Sequence, residues 1–304
     1  MNSFISQKHP RFAAFQSVLG IIFSVLIALL ISQLLAVTGL GLDLEEVGTV
    51  LQNPENHPKL KTSLLLLQGF SSLVAFIVTP LVFLKYFDNQ LGTQNIFVPK
   101  PQQTNPLLYI ILPFLILALM PLGAAIQEWN AGVVFPESLA SFEIWAKDAE
   151  AQAQRITQFF VNFDSFGGFL FVLIVISLIP GIGEELLFRG LLQNKFKVIF
   201  GNVHVAIWVS AILFSLIHMQ FYGFVPRMLL GALFGYLYYW SGNLLVPIVA
   251  HILHNGITLL LVYLYQQNIS SIDIEQTGEL NLIQILISLV IGFILIFVFK
   301  QKSK

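Results

Sequence analysis

The sequence predicts an all-α, polytopic integral membrane protein, a bundle of about eight transmembrane helices. Three observations carry that expectation. Of the 304 residues, 56% are hydrophobic and only 10% charged, whereas water-soluble domains run nearer to about 25% charged. The apolar residues, 28 Phe among them, gather into windows of about 20 residues, the length a helix needs to cross ~30 Å of hydrocarbon. Most charges fall between these windows. The composition also excludes classes. A formal net charge of −1 offers no basic footprint for nucleic acid. Without cysteine there can be no disulfide, thiolate zinc site, Fe–S cluster or cysteine nucleophile.

Taken in order, the expected spans are 14–36, 63–86, 106–127, 166–193, 203–219, 225–240, 244–265 and 281–299. The first has too long an apolar stretch for a cleavable signal peptide, and no small-x-small cleavage site follows it. Between the third and fourth spans, segment 128–165 is the longest loop. Within it Phe142, Trp145, Ala149 and Ile156 recur at helical spacing opposite Lys147, Asp148, Glu150 and Gln154, which predicts an amphipathic helix lying at the membrane surface or capping the bundle. No repeats or low-complexity tracts divide the chain. Residues 1–304 therefore read as one membrane domain, with N-terminal spans in 1–127, an extracytoplasmic loop in 128–165, a core in 166–265 and a last span and tail in 266–304.

Orientation follows from Lys and Arg in the loops. Lys8, Arg11, Lys85, Lys100, Lys195, Lys197, Lys300, Lys302 and Lys304 fall on one side, against Lys59, Lys61, Lys147, Arg155 and Arg227 on the other. Of the acids, only Asp88 joins the basic majority. Both termini are thus expected in the cytoplasm, and a bacterial inner (plasma) membrane is the expected location.

Ionisable groups inside a bilayer cost roughly 2.5–3.5 kcal/mol each on insertion scales and mark function by default. Here they crowd the second half of the chain. The fourth span carries Glu184, Glu185 and Arg189, the fifth ends in Phe214 and His218, and the seventh carries His251, His254 and Asn255. Such groups must converge on each other or on water. Glu185 and Arg189 stand at i, i+4, so an intrahelical ion pair is available, while Glu184 lies about 100° round the helix and is free to point elsewhere. His251 and Asn255 share a face, and His254 diverges from it by roughly 60°. Glu184 beside an imidazole is a general-base arrangement for activating water. A second imidazole with a carboxamide could stabilise a tetrahedral oxyanion.

These residues also carry a family resemblance. Glu184-Glu185 with Arg189, then Phe214 with His218, then His251 with Asn255, each pair or triplet on its own apolar helix, resemble the CAAX-protease and bacteriocin-processing (CPBP, or Abi) family of intramembrane proteases. The flanking Phe188-Arg189-Gly190 and Pro247-Ile248-Val249-Ala250-His251 fit as well. The resemblance covers about residues 166–260. It implies that Glu184 and His218 activate the attacking water, that His251 and Asn255 form the oxyanion site, and that Glu185, Arg189 and Phe214 support them. It leaves two mechanisms open: a glutamate-dependent one without metal, and a metalloprotease holding zinc on His218, His251 and Glu184. The absence of an H-E-x-x-H motif favours the first, and no cofactor is expected. The implied partners are the lipid bilayer and a peptide or membrane-protein substrate.

Blander roles stand beside these. Glu184, Glu185 and Arg189 could form only a structural salt-bridge network, and His218 and His251 could be buried rings satisfied by carbonyls. For His254 packing is the expected role, and for His204 a place at the membrane interface. Gly181-Ile182-Gly183 follows no strand and reads as a kink or close helix contact rather than a dinucleotide loop. Gly231 and Gly235 form a small-xxx-small packing pair. Two further classes compete with a protease: a non-catalytic scaffold or bacteriocin-immunity factor of the same fold, and a proton-coupled transporter. The transporter predicts two similarly interrupted halves, but the ionisable residues lie in one. Counting from the helix ends places Glu184 and His251 ~10–14 Å deep and His218 near ~23 Å. These depths agree only if the fourth and fifth spans project beyond the membrane, which leaves the connector 219–225 at bilayer depth, lined by protein or water.

Overall fold

The computed structural model describes residues 10–39, 41, 44–86, 104–271 and 281–303. Among these the regular structure is entirely helical. The expectations for the 87–105 connection, with Asp88 and Lys100, and for Lys8 and Lys304 lie outside the described residues, save positions 104 and 105. We number the helices α1 (Pro10–Gly39), α2 (Leu44–Gln52), α3 (Pro58–Tyr86), α4 (Leu107–Ala131), α5 (Ala140–Val161), α6 (Phe166–Phe200), α7 (Val203–Leu216), α8 (Phe224–Ser241), α9 (Leu245–Gln266) and α10 (Leu282–Lys302).

Six of these, α1, α3, α4, α6, α9 and α10, are long and apolar enough to cross a membrane, which makes this an integral membrane protein. Two of the eight expected spans do not rank among these six. Helix α7 has 14 residues, about 21 Å of rise, too short to span hydrocarbon alone. Helix α8 opens on Pro226 and Arg227 and ends among Tyr236, Tyr238, Tyr239 and Trp240, a composition too polar to rank with the six. Helix α6, by contrast, runs 35 residues, and its last turns carry Gln193, Asn194, Lys195 and Lys197 beyond the apolar run.

The core is arranged around α6, which packs against α1, α3, α7 and α9. Leu186, Phe188 and Leu191 of α6 meet Ile21 and Val25 of α1, Phe83 of α3, Phe214 of α7 and Ile248 of α9 in one buried cluster. A second cluster joins α4, α8, α9 and α10 through Leu112, Phe234, Val246 and Phe299. Outward, α1 and α10 present rows of Phe, Leu and Ile, as a helix must when its solvent is hydrocarbon.

Local geometry on α6 explains how its polar residues are aimed. Its turns widen to π-helix over Leu173–Leu178 and again over Leu186–Leu192, so Glu184 and Glu185 stand on a short α-helical stretch between two wide turns. Such bulges shift the register of side chains and recur at functional sites. Glycines set the approach of the neighbours. A Cβ on Gly181 would lie 2.6 Å from Ile252 Cγ1 of α9, and one on Gly183 would lie 2.8 Å from Phe76 Cβ of α3. The Gly-Ile-Gly run therefore is the close helix contact that its sequence suggested. Gly231 and Gly235 likewise admit Phe214 and Ile207 of α7.

Helix α5 caps one end of the bundle, with one correction to its expected faces. Ala146 is fully buried, while Phe142 and Trp145 are exposed to about two-fifths. Glu150, expected on the outer polar face, turns inward and accepts a hydrogen bond from Gln220 Nε2 at 3.2 Å. The small Ala146, Ala149 and Ala153 bring the helix close enough for that contact.

Because Gly183 faces Phe76 backbone as well as side chain, Gly183→Val should force α3 away from α6. Overpacking of this kind costs about 1–3 kcal/mol. Equilibrium unfolding of the purified protein in detergent should show a loss in that range, and an unchanged stability would mean that α3 yields freely.

Candidate active site

Four helices contribute to a polar cluster in an otherwise apolar interior. One carboxylate oxygen, Oε1 of Glu185, accepts from Arg189 Nη1 and from His251 Nδ1, each at 2.8 Å. Glu185 is fully buried, and Arg189 and His251 are nearly so. Arg189 is the i+4 neighbour that the sequence indicated, but the bond to His251 is new: it ties α6 to α9. Arg189 also donates Nη2 to the Gly231 carbonyl of α8 at 2.6 Å, and its guanidinium lies 4.9 Å from the Phe214 ring and 5.6 Å from the Phe234 ring. Gly231 leaves room here, since a Cβ would come within 3.3 Å of that same Nη2.

With Nδ1–H engaged by a carboxylate, His251 directs Nε2 toward Glu184, whose Oε2 lies 3.9 Å away. That is too long for a direct hydrogen bond and short enough for a bridging water. Stacking fixes the plane of the ring: Phe234 stacks on it at 5.1 Å, inclined by 27°, and Phe214 lies edge-on at 6.0 Å.

His218 reaches the cluster through Phe214, whose ring is 5.2 Å from its own. Its Nδ1 lies 2.8 Å from the Phe214 carbonyl. A carbonyl only accepts, so Nδ1 carries the proton and the neutral ring presents Nε2 as a free acceptor. Glu184 and His218 share no direct hydrogen bond among the described residues. Asn255 is held apart, donating Nδ2 to the Ile176 carbonyl at 3.1 Å, while Ser177 of the same π-turn donates to the Ile252 carbonyl at 2.9 Å. The structure therefore brings together Glu184, Glu185, Arg189, Phe214 and His251, sets His218 beside them, and seats Asn255 on the neighbouring turn of α6. Among the described residues no three His, Asp or Glu side chains form a group that could hold a metal ion, and the zinc set of His218, His251 and Glu184 is not such a group.

Sequence reasoning missed a second layer around His218. Arg227, counted there with the loop cations, folds back from the first turn of α8 to donate Nη2 to Gln220 Oε1 at 2.9 Å. It lies within electrostatic reach of both Glu184 and His218. Burial pushes the Glu150 carboxyl up from its ordinary range, and the Arg227 charge pulls it back. A cation two residues inside an expected apolar span was the available signal. His204, as expected, stands clear of the site and pairs with Tyr236 Oη at 3.1 Å.

Comparison with known proteins converges on the same segment. Residues 166–257 match the family model described as type II CAAX prenyl endopeptidase Rce1-like. Those residues contain every motif named above. This stretch is similar to the CAAX-protease family. The membrane-embedded CAAX protease MroQ of Staphylococcus aureus is 35% identical over 91 residues, which is 28% of this chain and 36% of that one. The uncharacterized protein YpbD of Bacillus subtilis is 29% identical over 89 residues, 28% of this chain and 42% of that one. The chain thus spans well under half the length of the curated relatives that it matches. No solved structure matches it significantly.

Removing one member of a buried ion pair leaves the other uncompensated, at about 3–5 kcal/mol. Arg189→Met should therefore destabilise the protein by that amount, whereas Glu184→Gln should change stability little. Detergent unfolding of the two variants side by side checks this, and equal losses would show that Glu184 is part of the same structural unit.

Proposed function

We propose that the protein is an intramembrane endopeptidase that hydrolyses a peptide bond in a membrane-associated peptide or protein. One observation carries the reading: the Glu184 carboxylate faces an imidazole whose other nitrogen is held by a second carboxylate, within a segment similar to the CAAX-protease family. The competing structural role accounts for Glu185 and Arg189, which pair with one another. It leaves Glu184 unexplained, because a carboxylate with no direct hydrogen bond among the described residues is costly among apolar helices.

In this mechanism a water between Glu184 and His218 gives up a proton as its oxygen attacks the peptide carbonyl carbon. Glu184 is the primary base, and His218 Nε2, free as an acceptor, aligns the water and shares the proton. The carbonyl oxygen becomes an oxyanion, which His251 Nε2–H, when protonated, and the second N–H of Asn255 stabilise. The proton held at the base passes to the leaving nitrogen as the C–N bond breaks, so no acyl-enzyme forms. Glu185 maintains His251 with Nδ1 inward, and Phe214 keeps both imidazoles apart. A bacterial plasma membrane with both termini cytoplasmic is the setting we infer from the Lys and Arg distribution. Activity on prenylated substrates does not follow from the side chains in the site.

Glu184→Gln preserves volume but cannot take the proton, so hydrolysis should fall by about 10²–10⁴ while the fold persists. Comparing membrane peptides from cells that carry the wild type and this variant identifies the substrate and checks the base at once. Turnover at the wild-type rate on an authentic substrate would remove Glu184 from the chemistry.

The mechanism uses no zinc. Purified protein should retain full activity after exhaustive chelation. Loss of activity that returns with one tightly bound metal per molecule would reassign His218 and His251 as ligands. Inhibition by added zinc decides nothing, since imidazoles and carboxylates capture it adventitiously.

A further inference from the structure

His218 sits where α7 ends and the chain turns back through residues 217–223 to α8. Among the described residues its one hydrogen bond is to the Phe214 carbonyl, beside an edge-on contact with the Phe214 ring, so the direction of Nε2 depends also on the backbone that follows. That backbone is in a costly state: Met219 adopts a left-handed conformation at φ +54°, which a residue with a Cβ holds only when its surroundings impose it. The surroundings are polar brackets from other helices. On α4, Asn130 accepts from the Val225 N–H at 2.8 Å and donates to the Phe221 carbonyl at 3.3 Å, while Gln127 donates to the Tyr222 carbonyl at 3.0 Å. From α7, Ser215 donates to the Phe224 carbonyl at 2.7 Å.

The bracket nearest His218 is of a different kind. Two residues on, the Gln220 amide donates to Glu150 of the α5 cap and accepts from Arg227 of α8. An amide has one donor end and one acceptor end, so a carboxylate on one side and a guanidinium on the other select a single orientation of the side chain. Glu150 also faces the backbone N–H groups of Tyr222 and Gly223, and among the described residues Arg227 Nη1 is buried without a hydrogen-bond partner. Stability alone is a poor reason for such an arrangement, because apolar residues of similar volume commonly do as well as buried charges.

We propose that Glu150, on the capping helix, is a positioning residue for His218, acting through Gln220 and Arg227. The cap thereby aims the Nε2 of a site that it does not itself line. Only the kinetic side of this inference rests on the peptidase reading.

The experiment uses full-length protein in lipid nanodiscs, with ¹⁵N-labelled histidine and His218 assigned by a His218→Gln variant. Wild type and Glu150→Gln, whose amide oxygen can still accept from Gln220, should show His218 as the single Nδ1–H tautomer. Glu150→Leu should show a mixture of tautomers, with kcat at least about tenfold lower and KM unchanged. Should Glu150→Leu fail to fold, Gln220→Leu removes the link while leaving both charges, and is read in the same way. An unaltered His218 tautomer in the Leu variant overturns the proposal, as does a shifted tautomer with wild-type kcat. The tautomer is read without turnover. If the wild type shows no hydrolysis beyond Glu184→Gln while the tautomer shifts, the peptidase reading falls and the positioning stands.

Discussion

One oxygen atom holds the site together. Oε1 of Glu185 accepts hydrogen bonds from Arg189 on its own helix and from His251 on α9, and Arg189 passes the tie on to the α8 backbone. In a bilayer this is a severe constraint. A buried charge is tolerated only when paired and hydrogen-bonded, so helices that each carry part of the set cannot drift independently. The two aromatic rings beside the guanidinium, Phe214 and Phe234, belong to α7 and α8. The polar knot and the apolar core of the bundle are therefore the same contact seen from two sides.

This division of labour separates the two adjacent carboxylates. Glu185 is consumed by structure, and Glu184, one residue earlier, faces His251 across 3.9 Å. Helix periodicity alone turns them about 100° apart. The flanking π-turns and the close contacts at Gly181 and Gly183 decide what each then meets. The proposed chemistry depends on that difference, since a base needs a carboxylate with capacity to spare.

The connector after α7 follows from a second constraint. Helix α7 is too short to cross, so the chain leaves helical geometry near the depth of the site, where free backbone groups would be costly. Side chains from α4 and α7 supply backbone partners, and Glu150 of α5 with Arg227 of α8 holds the Gln220 side chain. A helix that lies outside the six apolar spans, α5, in this way touches the residue next but one to His218.

The sequence by itself determined that the chain is helical and membrane-embedded, because apolar run length and the scarcity of charge are one-dimensional quantities. It also determined which helices carry the polar motifs and that Glu185 and Arg189 pair, because i, i+4 contacts depend only on helix geometry. Tertiary structure decided the rest. Only a defined approach of α6 to α9 could show that Glu185 also holds His251, or that Asn255 bonds to the Ile176 carbonyl. The inward turn of Glu150 was hidden because amphipathic pattern reading ranks residues by polarity, whereas burial follows the small Ala146, Ala149 and Ala153. Arg227 was hidden because a charge at a helix end reads equally as a solvated cation or a buried one. Hydrogen bonds between residues tens of positions apart choose between those outcomes, and no local spacing encodes them.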